Sequence, residues 1–178
     1  GYTAIFRKIV CVGDSLSSGE FESTGADGTK GYHDMFEFSW GQFIGRMCGS
    51  EVRNFSRGGM TAREYCETFA EQNDFWNPQY AAQAYIIALG VNDLLVLKQE
   101  VGSVADVDWT DWHNNKPTFA GYYAQILQRL KEIQPRAKFF LMTFPRTEDE
   151  LPADHIDMQH RQFLYELADA TENTYVLD

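Results

Sequence analysis

Lys8-Ile9-Val10-Cys11-Val12-Gly13-Asp14-Ser15-Leu16 is the stretch whose reading decides the fold. A short β-rich run, residues 7–12, stops abruptly at Gly-Asp-Ser. Such a stop places a serine just past the end of a strand. In open parallel α/β sheets that edge is where ligands bind. A serine there stands as a nucleophile at the mouth of a pocket, whereas Gly-Asp-Ser taken by itself is also ordinary turn chemistry or a helix N-cap.

Outward from this stretch, β-like runs alternate with helical ones. Residues 40–48 carry helical spacing through Trp40, Phe43, Ile44 and Met47. Glu51 to Phe55 reads as a second strand before Ser56-Arg57-Gly58-Gly59. Thr61 is placed to cap a helix running to about Gln72, with Glu64 three residues on as in a capping box. Ala84 to Leu89 is a buried strand ending at Gly90-Val91-Asn92-Asp93. Residues 118–134 put Phe119, Tyr122, Tyr123, Ile126, Leu127, Leu130 and Ile133 on one helical face, closed by Pro135. Ala137 to Thr143 is a further strand, 154–170 a helix with Ile156, Phe163, Leu164 and Leu167 inward, and Tyr175 to Leu177 the start of a last strand. Strands alternating with helices in this way predict one domain over residues 1–178: an α/β fold with a parallel sheet of about five strands covered on both faces. Glu20 to Gly31 and Lys98 to Pro117 fall outside the pattern and read as loops, the second carrying Trp109, Trp112 and His113.

The composition is that of a globular protein, with 44% hydrophobic and 23% charged residues in 178. The formal net charge of −11 argues against nucleic acid and anionic membranes as partners, since both select basic patches. The longest nearly apolar stretch, Ala84 to Val91, is far too short to span a bilayer, and Gly1-Tyr2-Thr3-Ala4 does not read as a leader peptide. Cys11, Cys48 and Cys66 are an odd, widely spaced set without C-x-x-C, which points to reduced and mostly buried thiols, not a disulfide framework or a zinc site. That usage gives a cytoplasmic expectation, with a secreted form from which a leader has been removed as the alternative.

Ser15, Gly59 and Asn92 each follow an apolar run and fall at the same edge of the expected sheet. Acyl transfer needs a nucleophile and donors aimed at the developing oxyanion. Ser15 offers a hydroxyl and a backbone N–H. Gly59, lacking a Cβ, lets backbone approach substrate, and Asn92 offers a side-chain amide. No metal or cofactor is needed for this chemistry.

At this point the chain resembles the GDSL, or SGNH, hydrolases. Gly13-Asp14-Ser15-Leu16 is similar to their first block, with serine as nucleophile. Asn54-Phe55-Ser56-Arg57-Gly58-Gly59-Met60-Thr61 is similar to their second, which makes Gly59 the carried-over glycine. Gly90-Val91-Asn92-Asp93 matches their third. The resemblance implies a flavodoxin-like three-layer α/β/α sandwich and a serine esterase, lipase or acetylesterase acting through an acyl-enzyme on Ser15. The oxyanion hole is then Ser15 N, Gly59 N and the Asn92 side chain, and the partner a small-molecule ester such as an acylated sugar or a lipid. The family's fourth block, Asp-x-x-His, lies beyond the last strand and supplies the general base. This sequence stops at Asp178, which leads to the expectation of a longer natural protein. The competing reading is a non-catalytic ligand-binding relative, or an inactive fragment without its base.

Asp157-Met158-Gln159-His160 has the Asp-x-x-His spacing but precedes the last strand, within a helical pattern. His160 is therefore expected to be structural and away from Ser15. Asp14, beside the nucleophile, and Trp109 and Trp112, on the long loop, are the candidates for lining substrate. On the plainer reading Asp14 and Asp93 are acceptors in their own turns, and the tryptophans pin a loop. Asp106, Asp108 and Asp111 lack the glycine and terminal glutamate of a calcium loop. Flavodoxin-like nucleotide binding is a weaker alternative, because the first turn has no phosphate-cradling glycine series.

Overall fold

The computed structural model describes residues 2–145 and 151–178. The chain runs through β1 (Lys8–Gly13), a one-turn helix α1 (Ser15–Ser18), β2 (Phe21–Thr24), β3 (Lys30–His33), α2 (Trp40–Cys48) and β4 (Glu51–Asn54). Next come α3 (Ala62–Glu64), a π-helical segment (Tyr65–Phe69) and α4 (Ala70–Gln72), which follow one another without a break. Then follow β5 (Ala84–Ala88), a second π-helical segment (Val91–Val96), α5 (Phe119–Ile133), β6 (Lys138–Met142), α6 (Ile156–Asp169) and β7 (Thr174–Leu177). Five strands pair in parallel in the order β4-β1-β5-β6-β7.

Strand alternation divides the core in two. Val10 and Val12 point to one face, with Tyr85, Ile87, Phe139 and Leu141 of the neighbouring strands. Tyr65 and Cys66, then Phe119, Tyr123, Ile126 and Leu127 of α5, and Phe163, Leu164 and Leu167 of α6 cover that face. Ile9 and Cys11 point the other way with Ala84 and Ile86, under Trp40 and Ile44 of α2. Helices on both faces of a parallel sheet are the expected sandwich. Among the described residues no helix is long and apolar enough to cross a membrane. All three cysteines are free; Cys11 and Cys66 are buried, and burial pushes the Cys11 thiol up to about 12.

Two details depart from the sequence reading, and the long loop finds its place. Glu20 to Gly31 is not simply a loop: β2 and β3 pair antiparallel, closed by a Lys30–Glu22 ion pair of 2.7 Å. The expected capping box is only half formed. Thr61 Oγ1 accepts from Glu64 N–H at 3.0 Å, but the Glu64 carboxylate turns away to a two-pronged pair with Arg57, both contacts 2.8 Å. Lys98 to Pro117 lies along α5, where Asn115 Nδ2 donates to Gln128 Oε1 at 2.8 Å and Gln128 Nε2 to the Asp108 carbonyl at 2.7 Å.

Candidate active site

The site is built on three turns at the C-terminal edge of the sheet. β1 ends at Gly13, where a Cβ would lie 2.3 Å from Ser17 Oγ and 2.9 Å from the Ala88 carbonyl. Only glycine lets α1 fold back this close to β5. Asp14 then caps α1, its carboxylate accepting from Leu16 N–H at 3.0 Å. The Asp14 carboxyl is pushed up by burial, with the Leu16 N–H opposing and the Glu20 charge adding. Ser15 is the first residue of α1 and half-buried. Among the described residues neither its hydroxyl nor its N–H has a hydrogen-bond partner.

The second turn follows β4. Asn54 Nδ2 donates to the Ser17 carbonyl at 2.7 Å and to Ser39 Oγ at 3.2 Å, which fastens α1 to this strand. Arg57 N–H donates to the Gly13 carbonyl at 3.3 Å. Gly58 N–H is taken by Asp34 Oδ1 at 3.0 Å. Gly59 has φ 73°, a left-handed conformation that favours glycine, and open space where a Cβ would be. Its N–H has no partner among the described residues.

The third turn follows β5. Asn92 Nδ2 donates to the Met60 carbonyl at 3.0 Å, so one amide hydrogen ties this turn to the Gly59 turn and the second is left over. Asp93 is fully buried, and its two oxygens accept from Ala62 N–H at 2.9 and 3.1 Å. Burial pushes its carboxyl up to about 6, against the pull of backbone N–H groups of Ala62, Asp93 and Arg63. Asp14 and Asp93 thus act as acceptors within and between the turns. Ser15, Gly59 and Asn92 lie on adjacent turns laced together by these bonds.

His160 is fully buried on α6, its ring stacked on Phe144 at 3.9 Å. It hydrogen-bonds the Leu89 carbonyl through Nε2 at 3.1 Å. A carbonyl only accepts, so Nε2 carries the proton. Nδ1 is buried without a partner among the described residues. Burial drives its pKa down to about 4. His160 sits closer to the site than its helical position suggested, packed beneath Gly90 two residues from Asn92. Among the described residues no hydrogen bond joins any histidine to Ser15.

Trp112 stacks on His113 at 3.6 Å and shares the Arg129 guanidinium with Trp76, at 4.8 and 4.0 Å respectively. Trp109 is partly exposed on the same loop. Neither tryptophan lines the two cavities at the sheet edge. One, of about 630 Å³, is walled by Asp14, Leu16, Trp40, Val91, Phe144 and Leu177. The other, of about 530 Å³, runs from Gly59 and Asn92 along Thr61, Arg63, Glu64, Glu67 and Thr68 to Val96 and Leu97. Among the described residues no cluster of acidic, histidine or cysteine side chains could hold a metal.

A strand-end serine beside two turns with N–H groups unbonded among the described residues, on a five-stranded parallel sheet, is the arrangement expected of a GDSL-type hydrolase. The chain belongs to the GDSL-like lipase/acylhydrolase family, whose model matches residues 11–178; members of this class act on ester bonds. Similar solved structures include a family two carbohydrate esterase from Clostridium thermocellum in complex with cellohexaose, 16% identical with a TM-score of 0.63 over 96% of this chain and 53% of that one. Another is a carbohydrate esterase family 2 enzyme with a carbohydrate binding domain from Corynascus thermopiles (Myceliophthora fergusii), 17% identical, TM-score 0.63, covering 97% and 56%. A third is a protein classed as a GDSL-like lipase from Parabacteroides merdae, 14% identical, TM-score 0.61, covering 96% and 76%. The chain spans about half the length of the two carbohydrate esterases. No curated protein matches the sequence.

Proposed function

We propose that this domain hydrolyses carboxylic esters through an acyl-enzyme on Ser15. The observation that carries the reading is the coincidence of one serine hydroxyl and three donors that are unclaimed among the described residues at one sheet edge: Ser15 N–H, Gly59 N–H and the second Asn92 Nδ2–H. In the first step Ser15 Oγ attacks the ester carbonyl carbon, its proton passes to a general base, and the carbonyl electrons move onto oxygen facing the three donors. Collapse of the tetrahedral intermediate expels the alcohol and leaves the acyl-serine. Water then repeats the sequence and releases the acid. The base must come within about 2.6–3.2 Å of the hydroxyl. His160 is held by the Leu89 carbonyl and is no candidate for that base.

The proposed substrate class is an acylated carbohydrate. The solved carbohydrate esterases favour it. The test is hydrolysis of p-nitrophenyl acetate and of acetylated oligosaccharides by the full-length protein and by Ser15→Ala. Turnover that persists in Ser15→Ala refutes the nucleophile; efficient cleavage of long-chain esters alone refutes the substrate class.

A further inference from the structure

The geometry points to Asp34 as a positioning residue that fixes the spacing between the serine helix and the oxyanion turn. This inference rests on the Ser15 reading above. Asp34 follows β3, in a segment where the sequence offers no motif. Its Oδ1 accepts two bonds at once: from Ser18 Oγ at 2.5 Å and from Gly58 N–H at 3.0 Å. Ser18 is fully buried in α1, the helix that begins with Ser15. Gly58 directly precedes Gly59. One carboxylate oxygen therefore bridges the element that carries the nucleophile and the turn that carries a donor, 16 and 24 residues away in sequence.

The surroundings are shaped for this bridge. A Cβ at Gly58 would lie 1.7 Å from Glu20 Oε1, the end of a flexible side chain, and 3.4 Å from Asp34 Oδ1, so both carboxylates border this turn. Gly19, at φ 71°, accepts from Met35 N–H at 3.3 Å and so closes the segment after Asp34 onto the end of α1. Hydrogen bonds to an ionised acceptor are about twice as strong as neutral ones. Two consequences follow. The separation of Ser15 from Gly59 is held by this two-bond link together with the Asn54–Ser17 and Arg57–Gly13 bonds, and not by a free loop. Gly58 N–H is withdrawn from the site, which leaves Gly59 N–H as the donor this turn presents.

Oxyanion donors act only when placed about 2.7–3.1 Å from the developing charge, and a shift of about 1 Å costs on the order of 10²-fold. Asp34→Ala in the full-length protein is therefore expected to lower kcat by about 10–100-fold with KM within about threefold. Asp34→Asn keeps an oxygen that accepts both bonds and is expected to restore most of that loss. Ser18→Ala cuts only the helix side of the link and should lower kcat while Gly58 stays bonded. Amide hydrogen exchange supplies a readout independent of turnover. Gly58 exchange should rise about tenfold or more in Asp34→Ala, and remain protected in Asp34→Asn and Ser18→Ala. Gly58 exchange unchanged in Asp34→Ala, a loss confined to KM, or wild-type kcat in Asp34→Ala would each overturn the assignment. Should the wild-type protein hydrolyse no ester, the functional reading fails, and the exchange measurement still decides the bridge.

Discussion

Asp93 and His160 titrate in opposite senses behind the Asn92 turn, and replacing one should expose the other. Asp93→Asn is the sharper perturbation, because the amide keeps the shape and an oxygen to accept from Ala62 N–H while removing the titration. Burial raises the folded Asp93 pKa from 3.8 to about 6. A raised carboxyl binds its proton more tightly folded than unfolded, so it contributes stability below pH 3.8 that is lost as pH rises through 6. His160 is lowered from 6.5 to about 4. It contributes stability above pH 6.5 that is lost as pH falls through 4. From pH 7 to pH 5, linkage gives a gain of about 1 kcal/mol from Asp93 and a loss of about 2 kcal/mol from His160, so the two largely offset each other. Removing Asp93 leaves the His160 loss uncompensated. The assay is urea unfolding at pH 7, 6, 5 and 4 of both proteins. Relative to wild type, Asp93→Asn should become less stable by about 1 kcal/mol between pH 7 and 5, and by about 2 kcal/mol between pH 7 and 4. Contributions from groups that do not interact with Asp93 cancel in that difference. A difference that stays constant across the four pH values, or grows toward pH 7, would refute the assignment of a raised Asp93.

Asn92→Ala should lower kcat by about 10²–10³, the cost of one oxyanion donor, and Ser15→Ala by more, both read from ester hydrolysis by the full-length protein. His160→Phe removes a titrating group and leaves the Leu89 carbonyl without its donor; it should lose about 1–3 kcal/mol at pH 7, with a smaller penalty at pH 5 in urea unfolding. Trp112→Ala opens one side of the Arg129 sandwich and should cost about 0.5–2 kcal/mol in thermal or urea unfolding. The ratio of rates on short and long acyl esters should stay unchanged in that variant, since Trp112 packs on α5 and lines neither cavity; a changed ratio would return the tryptophan to the substrate.

The parts of the site that local sequence encodes were legible. A β-run ending at Gly-Asp-Ser, another ending before Gly-Gly, and a third ending at Gly-Val-Asn-Asp fix where Ser15, Gly59 and Asn92 stand, because strand ends in a parallel sheet share an edge. Helix spacing likewise placed the buried faces of α5 and α6. The hairpin of β2 and β3 was hidden because neither strand has an apolar face to reveal a period of two; its residues are mostly exposed. Glu64 had the spacing of a capping box, but Arg57, seven residues back, competes for its carboxylate and wins with two charge-assisted bonds. Asp34 carries no local signal at all. Its role depends on side-chain bonds to Ser18 and Gly58, which only the folded chain brings together.

His160 shows where periodicity stops being informative. Spacing put it on or beside the inward stripe of α6, which predicts burial but not the neighbour. The neighbour is the end of β5, and Gly90 makes that contact possible: a Cβ there would stand 2.9 Å from the His160 ring. Gly90 also takes φ 129°, open to glycine and costly for other residues. One glycine therefore meets two demands, the turn that aims Asn92 and the close approach of a buried ring that bonds the preceding carbonyl. With Asp93 holding Ala62 N–H on the other side, the Asn92 turn is gripped by two buried groups that contact different elements, α6 and α3. Oxyanion stabilisation depends on donors that need not reorganise when charge develops. The same burial that shifts both pKa values thus supplies the rigidity the proposed chemistry requires of Asn92.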